Sequence, residues 1–172
     1  IYSAPGTAVK EAYDTSGIVT NDRGVTVWLK GNRVSRNQIM AIKEESVTEQ
    51  KNSLAVCLDN ILRHAGITRN TEYDLAQGKT ATTILSENMT GVQVLDLSGC
   101  TLDAVLYYVN QDIPVLAILE DGEAVLVTGF NEFNVVIMEP ATGKLYKKGM
   151  NDATAWFAEN GNHFITYMRT EN

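Results

Sequence analysis

From Ser53 onward, apolar residues recur at three- and four-residue intervals: Leu54, Val56, Cys57, Leu58, Ile61, Leu62 and Ala65. That spacing predicts a helix over "SLAVCLDNILRHAG" with a broad buried face. Asn52 or Ser53 supplies its N-cap and Gly66 its stop. The next stretch, "TEYDLAQGKTATTILSENMTGVQVLDL", reads as a short helix, a loop and a strand, and "TLDAVLYYVNQD" as an amphipathic helix capped by Thr101. The period then shortens. "IPVLAIL" is a buried strand whose Pro sits at the edge, where a missing N–H is tolerated. Two apolar runs, Ala124 to Val127 and Val135 to Met138, make a hairpin of "GEAVLVTGFNEFNVVIMEPATGK". A small strand "KLYKKG", a helix "MNDATAWFAENG" and a last strand "HFITYMR" complete the chain. Helices first and antiparallel strands after predict an α+β fold.

Residues 1–45 read differently, as a β-rich or mixed extension. "AVKEAYDTSG" suggests a short helix closed by Gly17, and "GIVTND" and "VTVWLKG" suggest strands joined by the turn-prone "NDRG". "RNQIMAIKEE" fits a strand or one helical turn. The polar stretch "KEESVTEQKN" places a boundary there, with the main domain over residues 46–172.

Composition narrows the function classes. The chain has 172 residues, 44% hydrophobic and 20% charged, enough for one domain with a proper core. A net charge of −7 repels phosphate backbones and anionic membrane surfaces, so no nucleic acid partner is expected. No apolar run reaches the roughly 20 residues of a membrane span, so this segment is not expected to insert in a bilayer. The opening "IYSAPGTAVK" has neither an initiator Met nor a basic leader, which suggests a piece of a longer protein with its signal or anchor outside it. Cys57 and Cys100 lack metal-site spacing and sit among apolar residues, as buried small hydrophobes do; one disulfide between them stays open. The carboxylates of "LEDGEA" lack calcium-loop spacing and read as a solvated turn. No metal and no cofactor are expected. Trp28 and Trp156 read as packing residues.

Three pieces of the chain together resemble the papain-like cysteine peptidases, in particular the bacterial bacteriocin-processing peptidases that remove double-glycine leader peptides. They are "NSLAVCLDNILRHAG", "DIPVLAILEDGEAVLVTGFNEFNVVIMEP" and the closing helix and strand, covering about residues 46–169. The resemblance implies a papain-like fold, a helical half against an antiparallel half. It lays Ser53 on the family's nucleophilic Cys, Glu123 on its His and Glu139 on its Asp. The family's oxyanion Gln would fall on Val47, with Gln50 nearby but too close to the nucleophile. All four positions depart from the pattern.

The departures matter chemically. A papain-type thiol works because an adjacent imidazole stabilises the thiolate and later protonates the leaving amine. A serine has no such assistance from a glutamate, which is a weak base toward a hydroxyl and carries no proton to donate when ionised. No catalytic residues are therefore expected, and the resemblance implies a catalytically inactive, degenerate member that binds a peptide or protein partner in a bacterial exported or envelope protein. Two alternatives stand beside this. One is an active cysteine peptidase with a relocated nucleophile, Cys57 with His163 or His64. The other is a structural scaffold or spacer whose cleft is filled. On a bland reading Cys57 is a core residue, His64 a helix C-terminal residue and His163 a surface turn residue.

Overall fold

The computed structural model describes residues 2, 4–15, 17–29 and 52–170. The expected "RNQIMAIKEE" element, the boundary near residue 45, Val47 and Gln50 lie outside the described residues.

The chain opens with helix α1 (Pro5–Thr15), which begins on a proline whose missing N–H belongs to an unpaired position. The Gly17 N–H donates to the Ala12 carbonyl and ends it, as the sequence predicts. A hairpin of β1 (Ile18–Thr20) and β2 (Thr26–Leu29) follows, turning at Gly24, whose φ of 75° suits a residue without a Cβ. Trp28 drives this segment into the core. It is 2% exposed, and its Nε1–H donates to the Ala104 carbonyl at 2.9 Å. Tyr108 hydroxyl donates to the Val27 carbonyl, and Tyr13 hydroxyl to Asp103, so residues 13–28 are fastened to the helix that carries positions 103–108.

Three helices come next: α2 (Ser53–His64), α3 (Thr71–Ala76) and α4 (Ala81–Asn88). Asn52 is the N-cap of α2, its side chain accepting from the Leu54 N–H. The segment expected as a loop contains α4. Thr80 caps it, and Ile84 and Leu85 are fully buried. A one-turn gap between two short helices reads as a loop because neither helix shows two full periods. The α2–α3 corner is held by the buried Asp59 carboxylate, which accepts from both the backbone N–H and the hydroxyl of Thr71. Arg69 makes a two-pronged contact with Asp74 on the same side.

The remaining elements are β3 (Val92–Asp96), α5 (Leu102–Val109), β4 (Val115–Ile118), β5 (Ala124–Phe130), β6 (Asn134–Glu139), β7 (Lys144–Gly149), α6 (Met150–Glu159) and β8 (His163–Arg169). The six strands from β3 onward form one antiparallel sheet in the order β3-β8-β4-β5-β6-β7. All seven residues of β5 are buried. Alternate residues of a strand face opposite sides, so this central strand is covered on both. Helix α2, which packs on α3 and α4, and α5, which packs on α1 and α6, both lie on it. At one margin β7 is only half-buried and carries Lys144, Lys147 and Lys148, the last with Nζ 4.7 Å above the Trp156 ring.

Candidate active site

The sheet register brings the sequence-selected residues to one end of the molecule. β4 ends at Ile118, which pairs with both Ala124 at the start of β5 and His163 at the start of β8. β6 ends at Glu139, paired with Lys144. His163 therefore stands two strands from Ala124, about 10 Å in backbone terms, and Glu139 lies on the strand beyond Ala124. The first residue of α2 meets this same end: Ser53 Oγ accepts the Ala124 N–H at 2.9 Å. Ser53 and Glu123, about 70 residues apart in the chain, are thus neighbours, as cysteine and histidine must be in a thiol peptidase.

The chemistry at this junction is that of a joint. The Ser53 hydroxyl is occupied as an acceptor by a strand N–H, tying the helical half to the β half. Glu123 is exposed at the end of a tight loop. That loop is held by four bonds: Leu119 N–H to the Glu123 carbonyl, Gly122 N–H to the Leu119 carbonyl, Glu123 N–H to Asp121 Oδ1, and Glu120 N–H to Asn160 Oδ1. It presents Glu120, Asp121 and Glu123 as exposed carboxylates beside a helix N-terminus. No group of three or more His, Cys, Asp or Glu side chains that could hold a metal ion occurs among the described residues. Glu139 is exposed and lies close enough to Tyr146 to add to the upward push that burial gives that phenol.

The alternative nucleophile sits elsewhere. Cys57 lies one turn into α2, fully buried, and its thiol is pushed well above the ordinary range by burial and secondarily by the Glu123 carboxylate. That is the reverse of an activated thiol, which is partly exposed in an electropositive setting. His64 is at the far end of α2, its Nε2 3.0 Å from the Asp112 carbonyl. His163 is half-buried at the start of β8. Cys100 is also free and buried, its thiol donating to the Gly6 carbonyl, and burial raises it to about 11.

These thiols yield a testable consequence. Both hold their protons to higher pH in the folded protein than in the unfolded chain, so their contribution to stability is complete below about pH 9. It is lost progressively as pH rises from there through the folded-state range. Native protein at pH 8 is expected to leave both cysteines unlabelled by iodoacetamide over an hour, while guanidinium-unfolded protein labels at both. Rapid native labelling at Cys57 would contradict its burial.

Sequence reading missed the partner of Ser53, because the partner is a backbone N–H and no side-chain pattern announces one. It also missed Asn160, which anchors the acidic loop from the end of α6. An Asn just past a helix offers a signal, but its target lies 40 residues away.

No family model matches the chain, and no curated protein matches it. A solved crystal structure described as a C39-like peptidase from Bacillus anthracis is similar in fold. It aligns with a TM-score of 0.64 at 12% identity, over 80% of this chain and 100% of that one. No helix among the described residues is long and apolar enough to cross a membrane. The mixed helical and antiparallel architecture expected from the sequence is the one found, and the chain shares its fold with that C39-like peptidase.

Proposed function

We propose that this is a peptidase-like domain that no longer cleaves, retained to bind a peptide or protein partner in a bacterial exported or envelope protein. One observation carries the loss of cleavage. At the junction of α2 and β5, a serine stands where the fold's thiol would be, its oxygen engaged by the Ala124 N–H, and a solvent-exposed glutamate stands in place of an imidazole. An ionised carboxylate is a weak base toward a hydroxyl and carries no proton to give a leaving amine. Its negative charge also opposes any thiolate nearby, as the Cys57 thiol registers. The binding role and the envelope setting are supported by the resemblance to leader-processing peptidases.

The purified chain is expected to leave a fluorogenic Gly-Gly reporter uncut at pH 6 to 9. Turnover that a thiol blocker abolishes, and that Cys57→Ala removes, would replace this reading with the relocated-nucleophile one. A scaffold role has one observation in its favour, the fastening of Ser53 to the Ala124 backbone. It predicts that the full-length protein loses stability but no partner when surface residues around Ser53 are changed.

A further inference from the structure

A concave surface lies away from Ser53, Glu123 and Glu139. A cavity of about 810 Å³ runs between α1 and the β1–β2 hairpin. Ala8 and Ala12 of α1, with Val19 and Val27, contribute buried apolar surface to its wall, and Tyr2 and Ile18, 52% and 60% exposed, contribute apolar groups open to solvent. Among the described residues its charged wall residues are Glu11 and Asp22, both exposed, and no described Lys, Arg or His lines it. The nearest cations in sequence, Lys10 and Arg23, are not in its wall. A volume of this size holds a short peptide or a comparably sized ligand.

The backbone along this cavity has an open side. Among the described residues β1 pairs only with β2, which leaves its other edge unpaired there, and all three of its residues line the cavity while β2 contributes Val27. One end is closed by the Asn21 side chain, which accepts from the Arg23 and Val25 N–H groups and reaches Gln93 of β3 at 3.4 Å. An unpaired edge beside an apolar trough is how extended peptides are taken up by strand addition: backbone bonds give affinity and alternate side chains find pockets. The small side chains of Ala8 and Ala12 leave room for those pockets, and the carboxylates choose their charge.

We propose that this groove binds an extended peptide segment bearing basic residues interspersed with small apolar ones, added as a strand along the open edge of β1. Acidic peptides and phosphate-bearing ligands are disfavoured there by Glu11 and Asp22. The proposal does not depend on the loss of cleavage. The groove shares no residue with Ser53, Glu123 or Glu139, so the reporter assay and a peptide titration fail separately.

The test is a titration of the full chain with the peptide acetyl-Lys-Val-Ala-Lys-Val-amide, followed by backbone amide chemical shifts. The expected result is saturable shifts concentrated at Ile18 and Thr20, with no such response to the Glu-Val-Ala-Glu-Val counterpart. Charge reversal at the exposed rim, Glu11→Lys with Asp22→Lys, is expected to weaken the lysine peptide about tenfold or more with the melting temperature unchanged. Ile18→Ala serves as a second variant should the reversal disturb the hairpin, and is expected to weaken binding without altering the charge preference. Absence of shifts at millimolar peptide, equal response to the acidic peptide, or unaltered affinity in both variants overturns the proposal. So does concentration-dependent pairing of the protein that occupies the same amides.

Discussion

Replacing Trp28 by alanine is expected to cost about 3–5 kcal/mol of folding stability, the range for removing a large aromatic side chain from a packed core. Trp28 is 2% exposed, its ring centroid lies 6.3 Å from those of both Tyr13 and Tyr107, and its Nε1–H is bonded to the Ala104 carbonyl inside α5. Truncation removes dispersion contacts on several sides and opens a void between the hairpin and α5 that neighbouring side chains fill only in part. Trp28→Phe keeps much of the area and loses the N–H donor, so a smaller loss, about 1–2 kcal/mol, is expected. Urea unfolding of the two variants provides the measurement. A loss under about 1 kcal/mol for the alanine variant would show that residues 5–29 lie on the main body without sharing its core.

The second large effect concerns chemistry. Ser53→Cys combined with Glu123→His is expected to produce a thiol that reacts with iodoacetamide at pH 7 about tenfold or more faster than Ser53→Cys alone. The position opens α2, where unpaired N–H groups and the positive end of the helix dipole favour an anion. In the single variant the new thiol lies one helical turn from Cys57, whose own thiol the Glu123 carboxylate already helps push up. The second change removes that charge and supplies a proton acceptor one residue from the Ala124 N–H that contacts Ser53. Lowering a thiol pKa by one unit is worth about tenfold in thiolate where the thiol is mostly protonated. Equal rates would mean that the two positions do not face each other across the α2–β5 junction. Peptide cleavage is not expected to return with these two changes, since Val47 and Glu139 remain in the oxyanion and orienting positions of the resemblance.

Much of this architecture is visible in the one-dimensional pattern. The helix from Ser53, the helix after Thr101 and the antiparallel strands after Pro114 all carry strong periodicity or unbroken apolar runs, and tertiary packing agrees with the local signal in each. α4 was obscured because eight residues give barely two turns. The meeting of Ser53 with residues 123 and 124 is legible only through resemblance, since nothing local links a helix start to a strand start some 70 residues later. The groove at α1 and β1 leaves no trace in sequence. Its small side chains look like ordinary helix alanines, and its concavity arises where two elements fail to close upon each other.

The lysines of β7 have a consequence for how this molecule coexists with its own copies. A sheet that ends in an incompletely covered strand offers its last row of peptide groups to any passing strand, including an identical one. Two such margins brought together would set ammonium groups from Lys144, Lys147 and Lys148 against their twins, with little water left to dissipate the repulsion. An otherwise acidic protein has thus concentrated cations where fibre-like stacking would begin.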